Sequence, residues 1–240
     1  MGEGVNPALV HTVLPPRLPS PGPPPSLILL HGVGANETSL LRLADVLDPR
    51  FQIISVRAPL EVRPGGYGFF RVQFTPEPVI VPQEAEASRV TLSGFIPAVV
   101  QQHGLDPRRV FLLGFSQGAI MAASIALSQP DLVAGVVMLS GRILPEARPL
   151  FQTGPALAGL PFFVAHGVDD TKLGVHHARA TQALLTELGV NLSYREYAME
   201  HSIEAPEIAD VNAWLEAQLD HSGSERPLME KAVIPQDSVE

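Results

Sequence analysis

Short, wholly apolar runs that alternate with stretches of helical periodicity predict an α/β protein with a mostly parallel central sheet and helices on both faces. Three observations carry this. The runs at 27–30, 110–113 and 133–139 are continuous rather than alternating, as expected of strands buried on both faces. Segments with apolar residues at helical spacing lie between them. The chain has 240 residues, 45% of them hydrophobic, which suits one domain with a sizeable core, and no long insertion reads as a large lid.

The elements follow in order. Residues 1–25 hold eight of the 24 prolines and are set apart as a proline-rich segment. Within it, Val10, Thr12, Val13 and Leu14 favour an edge strand over 8–14, and 15–25 reads as an extended connector. The buried strand 27–30 ends in His31-Gly32-Val33-Gly34. A helix is expected over 38–47, with Leu40, Leu41, Leu43, Val46 and Leu47 on its apolar side and Asp48-Pro49 as its stop. A second buried strand takes 51–56. Residues 58–82 are rich in proline and glycine and read as a long irregular loop. A helix over 84–103 is interrupted by Pro97, which should kink or restart it. Next come the strand 110–113, a turn, and a small-residue helix over 117–127. Then follow a strand 133–139, a loop 142–160 and a strand 162–165. A helix 175–188 stops at Gly189. The strand 192–197 and a helix 206–219 close a domain spanning 26–220. Residues 221–240 are polar without a period and read as a loose tail.

A net charge of −9 disfavours nucleic acid and anionic membrane surfaces as partners. With no cysteine, disulfides, thiol nucleophiles and Cys-based metal sites are excluded. The N-terminal residues lack the basic and apolar regions of a signal peptide, and no uncharged run reaches spanning length, so the expectation is a cytoplasmic protein. The pattern allows a homodimer but does not establish one. No metal or organic cofactor is implied.

The chemistry gathers on Gly114-Phe115-Ser116-Gln117-Gly118. This G-x-S-x-G sequence stands between a strand and a helix, the context in which a strained turn lifts a serine hydroxyl clear of the backbone. A serine needs a general base, and the base needs an orienting carboxylate. The order serine, carboxylate, histidine is met by Ser116, then Asp169 or Asp170, then His201. Each follows a predicted strand, at the carboxyl edge where ligands gather in such sheets. Of the other histidines, His31 and His166 read as structural, and His176 and His177 as surface residues. Position alone does not decide between the two aspartates. Backbone N–H groups of Gln117 and Val33 are the expected oxyanion donors, with Gly32 and Gly34 giving their loop its freedom. Leu60, Tyr67, Phe69 and Phe70, from the long loop, are candidates for a small acyl pocket.

Leu30-His-Gly-Val-Gly34, Gly114-Phe-Ser-Gln-Gly-Ala119, Leu139-Ser-Gly141, His166-Gly-Val-Asp-Asp170 and Met199-Glu-His201 together resemble the carboxylesterase/phospholipase family of α/β-hydrolases, which includes acyl-protein thioesterases and small bacterial carboxylesterases. The likeness spans about 26–219. It implies the α/β-hydrolase fold, Ser116 as nucleophile, His201 as base and Asp170, at the end of H-G-x-x-D, as the orienting carboxylate. It also implies Val33 and Gln117 as the oxyanion donors. The chain departs from the family at Glu200, where a glycine is frequent, and at Gly68-Phe69-Phe70, where tryptophan-phenylalanine is usual. The implied activity is ester hydrolysis through an acyl-enzyme, and with no lid-like insertion and a small pocket at Leu60, Phe69 and Phe70 the expected substrates are small-molecule, short-chain esters. The alternatives are a thioesterase or lysophospholipase for long acyl chains and, outside enzymes, a binding protein on a hydrolase fold.

Overall fold

The computed structural model describes residues 9–19, 22–75 and 78–221. Ala8 and the tail expected beyond His221 lie outside these residues. Seven strands form the main sheet: β1 (His11–Leu14), β2 (Ser26–Leu30), β3 (Gln52–Val56), β8 (Val110–Phe115), β9 (Gly135–Leu139), β10 (Pro161–Gly167) and β11 (Asn191–Tyr197). Their spatial order is β1-β3-β2-β8-β9-β10-β11. All neighbours are parallel except β1, which runs antiparallel to β3 at the edge. The chain steps from β2 outward to β3 and later returns to β8 on the other flank of β2. That reversal opens a crevice at the carboxyl ends of β2 and β8.

Period-two alternation sorts the buried strands onto two cores. Ile28, Leu30, Leu112, Val136 and Val164 face one side, where α1 (Pro82–Gln102), α2 (Gln117–Ser128) and α3 (His176–Glu187) pack. Leu27, Leu29, Phe111, Leu113, Val137 and Phe163 face the other, against the 40–47 segment and α4 (Ala205–His221). Every residue of α2 is buried, which explains its small and apolar composition. Among the described residues no helix is long and apolar enough to cross a membrane.

Three expectations need correction. First, the helix expected over 38–47 is a 3-10 helix at Leu41–Asp45 preceded by turns. The Asn36 side-chain oxygen accepts from the Thr38 N–H at 3.0 Å and from the Thr38 hydroxyl at 2.7 Å, which competes with an α-helical start. The Leu47 N–H then bonds to the Leu43 carbonyl, four residues back, at 3.0 Å. That wider last turn brings Leu47 inward and leaves Val46 57% exposed.

Second, 58–82 is not wholly irregular. It contains the antiparallel pairs β4 (Leu60–Arg63) with β5 (Gly66–Gly68), and β6 (Val72–Gln73) with β7 (Val79–Ile80). The β4–β5 turn is made at Pro64-Gly65, with Gly65 at φ +70°, a sequence that favours such a turn. Third, of the kink or restart expected at Pro97, the restart does not occur: α1 runs through Pro97 as one helix. Leu92, Phe95, Ile96, Val99 and Val100 pack into the core on both sides of it. Their burial outweighs a proline cost of about 3 kcal/mol.

Candidate active site

Ser116 sits between β8 and α2 with φ 54° and ψ −115°, a region in which non-glycine residues are strained. Backbone crowding forces this turn. A Cβ on Gly114 would lie 2.3 Å from the backbone of Gly118, and one on Gly118 would lie 1.9 Å from the Leu30 carbonyl oxygen. Only glycine at both places lets β8, α2 and β2 approach so closely. The Ser116 N–H donates to the Leu139 carbonyl at 2.8 Å, which fixes the turn on β9.

His201 lies in the loop between β11 and α4. Its Nε2 is 2.9 Å from Ser116 Oγ and its Nδ1 is 2.6 Å from Asp170 Oδ2. Phe115 covers one face of the imidazole, with ring centroids 5.0 Å apart. The loop packs directly on the end of β10: a Cβ on Gly167 would meet the Met199 carbonyl oxygen at 2.2 Å. The Asp169 N–H donates to that same carbonyl at 3.1 Å. Residues far apart in the chain thus converge on one hydroxyl.

The structure separates the two aspartates. Asp169 is exposed, whereas Asp170 is buried. Asp170 Oδ1 accepts the N–H groups of Lys172 and Leu173, each at 2.8 Å. Its Oδ2 faces His201 and lies 3.2 Å from His166 Nε2. Burial pushes its pKa up, but the bonds from His166, His201 and the Leu173 N–H outweigh that and hold it below the usual carboxylate range. His166 itself is fully buried, and its Nε2–H donates to the Leu173 carbonyl at 2.6 Å. The sequence marked His166 only as structural; its contact with Asp170 follows from their four-residue spacing at the end of β10.

His31 is also buried and structural. Its Nδ1–H donates to the Gly32 carbonyl at 2.8 Å and its Nε2 accepts the Ala58 N–H at 3.0 Å. Burial lowers its pKa and keeps the ring neutral, as that acceptor role requires. Val33 follows in the loop after β2, next to Gly32, where an added Cβ would lie 3.4 Å from Ser116 Cβ. Gly34 takes φ +78°, while Gly32 does not need a positive φ. Among the described residues neither the Val33 nor the Gln117 backbone N–H is paired with an internal acceptor.

The four pocket candidates are divided. Leu60 on β4 and Tyr67 on β5 are half-buried, and the Arg57 guanidinium lies 4.6 Å above the Tyr67 ring. Phe69 and Phe70 are packed into the core, Phe69 against His31 with centroids 5.7 Å apart. Their rings do not line the open cleft beside His201. That cleft, of about 650 Å³, is walled by Thr171, Lys172, Ala198, Met199, Glu200, His201, Ser202, Glu204 and Pro206, a mixed polar and apolar lining that does not include Ser116.

The phospholipase/carboxylesterase family model matches residues 19–219. An esterase of Escherichia coli, YpfH, is 28% identical over 168 residues, covering 68% of this chain and 69% of the relative. Acyl-protein thioesterase 1 of Neurospora crassa is 27% identical over 162 residues, covering 65% of this chain and 66% of the relative. The crystal structure of a Bacillus cereus carboxylesterase superposes with a TM-score of 0.76 at 23% identity, over 89% of this chain and 96% of the other.

Proposed function

We propose, since the chain belongs to the phospholipase/carboxylesterase family and is a carboxylic ester hydrolase, that it hydrolyses short-chain, water-soluble esters through an acyl-enzyme on Ser116. One observation carries the reading: the His201 imidazole bridges Ser116 Oγ and Asp170 Oδ2 with both hydrogen bonds of workable length. In the proposed cycle His201 takes the hydroxyl proton as Ser116 Oγ bonds to the ester carbonyl carbon. Asp170 holds the imidazole in the tautomer with Nδ1 protonated. The N–H groups of Val33 and Gln117 receive the oxyanion. His201 then returns the proton to the departing alkoxide. Water repeats the sequence on the acyl-enzyme and releases the acid.

A small ester is favoured because the 58–82 connection over the carboxyl edge forms short β pairs anchored by the buried Phe69 and Phe70 rather than a long apolar insertion. A second reading, a thioesterase or lysophospholipase for long acyl chains, draws on a separate groove of about 440 Å³ between α1 and the 3-10 helix Pro145–Leu150. Leu144, Ala147, Pro149 and Leu150 make much of it apolar. A series of acetyl, butyryl and palmitoyl esters tests both, run on wild type beside Ser116→Ala. The short-chain reading expects kcat/KM to fall from butyryl to palmitoyl. A palmitoyl optimum would transfer the assignment to the second reading.

A further inference from the structure

Gln117 is 3% exposed, and its side chain turns away from solvent toward the end of the β4–β5 hairpin. There Oε1 accepts the Phe69 N–H at 2.6 Å and Nε2 donates to the Phe70 carbonyl at 2.7 Å. A primary amide presents an acceptor and a donor side by side, which suits two successive backbone groups. Two residues before Phe69, Tyr67 pairs reciprocally with the loop after β2. The Gly34 N–H donates to the Tyr67 carbonyl, and the Tyr67 N–H to the Ala35 carbonyl, each at 2.7 Å. From β4, the Arg63 guanidinium donates to the Gly34 carbonyl at 2.7 and 3.2 Å. Gly68 is wedged between the two ends of this connection. A Cβ there would lie 3.1 Å from Gln117 Oε1 and 3.2 Å from Val33 Cγ2.

We infer that the Gln117 side chain is a positioning residue for the oxyanion site. Through residues 67–70 it ties the residue that follows Ser116 to the 33–35 loop, and so fixes the spacing between the Gln117 and Val33 N–H groups. The inference rests on the acyl-enzyme reading above and deepens it. It assigns the side chain a task distinct from that of its own backbone. Loss of one oxyanion donor costs about 10²–10³-fold in kcat. Loosening one donor rather than removing it should therefore cost roughly 10–100-fold, with substrate affinity little changed.

The test is Gln117→Glu. A carboxylate keeps the acceptor for Phe69 but opposes the Phe70 carbonyl; a protonated carboxyl restores the donor. Steady-state kinetics with p-nitrophenyl butyrate across pH 6–9 are taken as a ratio to wild type, which cancels the triad's own pH response. The ratio of kcat should be lowest at pH 9 and recover as pH falls, with KM within about twofold. Affinity for a butyl trifluoromethyl ketone, which presents an oxyanion after addition of a serine, should fall in step with kcat. Should Gln117→Glu not fold, Gln117→Met reads the same loss in kcat and ketone affinity. Unchanged kcat and ketone affinity, a defect confined to KM, or a ratio flat with pH in a folded Gln117→Glu would overturn the inference. Failure of the acyl-enzyme reading is distinguished by Ser116→Ala: full turnover in that variant removes the reading itself.

Discussion

Neighbouring aspartates on one turn have opposite environments, and the difference can be measured. Asp170 is sealed among four donors while Asp169 faces solvent. Asp170→Asn should lower kcat by about 10⁴-fold, because the amide no longer selects the right imidazole tautomer. Asp169→Asn should leave kcat within about twofold, and equal losses in the two variants would reverse their roles. The sequence reached this choice only through H-G-x-x-D, since burial cannot be read from two identical side chains in a row. Glu207 was less legible still. An acidic residue in the first turn of a helix suits the helix dipole and reads as exposed. Instead it is fully buried with neither carboxyl oxygen partnered. Burial pushes its pKa up to about 8 from an ordinary 4.5, and the nearby Glu204 charge adds to the rise. Its folded-state pKa is the higher one, so its contribution to stability is whole below about pH 4.5 and lost by about pH 8. Thermal melts at pH 5 and 8.5 should show a decline in wild type that Glu207→Gln reduces. An identical decline in both would remove Glu207 as its source.

The serine turn is an element whose form follows from backbone contact. A Cβ at position 118 would overlap the Leu30 carbonyl, so relief requires β2 and α2 to separate. Gly118→Ala should destabilise the fold by about 3 kcal/mol or more, read by chemical denaturation. A variant of wild-type stability would mean that the elbow is looser than its geometry requires. Strands 27–30, 110–113 and 133–139 were legible because burial on both faces leaves only apolar residues. The 40–47 segment was misread because Leu40, Leu43 and Leu47 have helical spacing in either helix type, and Asn36 decides the outcome. The small sheets within 58–82 were missed because their strands are two to four residues long, too short for alternation to register. Among the pocket candidates, Phe69 and Phe70 misled for a related reason. An aromatic in a loop beside an active site can face the cleft or anchor the loop, and only packing tells which.

At the scale of the whole molecule, the parallel order of β2, β8, β9, β10 and β11 does most to assemble the site. Each strand ends at the same edge. Ser116, Asp170 and His201 follow β8, β10 and β11, and Val33 follows β2. The chain order serine, aspartate, histidine together with this topology places all three within reach, which is why so much of the candidate site could be read from spacing. The contacts around that site could not be read in the same way: His166 against Asp170 and Gln117 against Phe69 depend on side-chain directions that no period encodes. The most direct measurement of the central claim is covalent labelling with a fluorophosphonate, followed by intact mass and peptide mapping. The account predicts one adduct per chain, on Ser116, absent in Ser116→Ala and formed at least about 10²-fold more slowly in His201→Ala. No adduct on folded wild-type protein that hydrolyses esters, or labelling of another residue that accounts for its turnover, would contradict it.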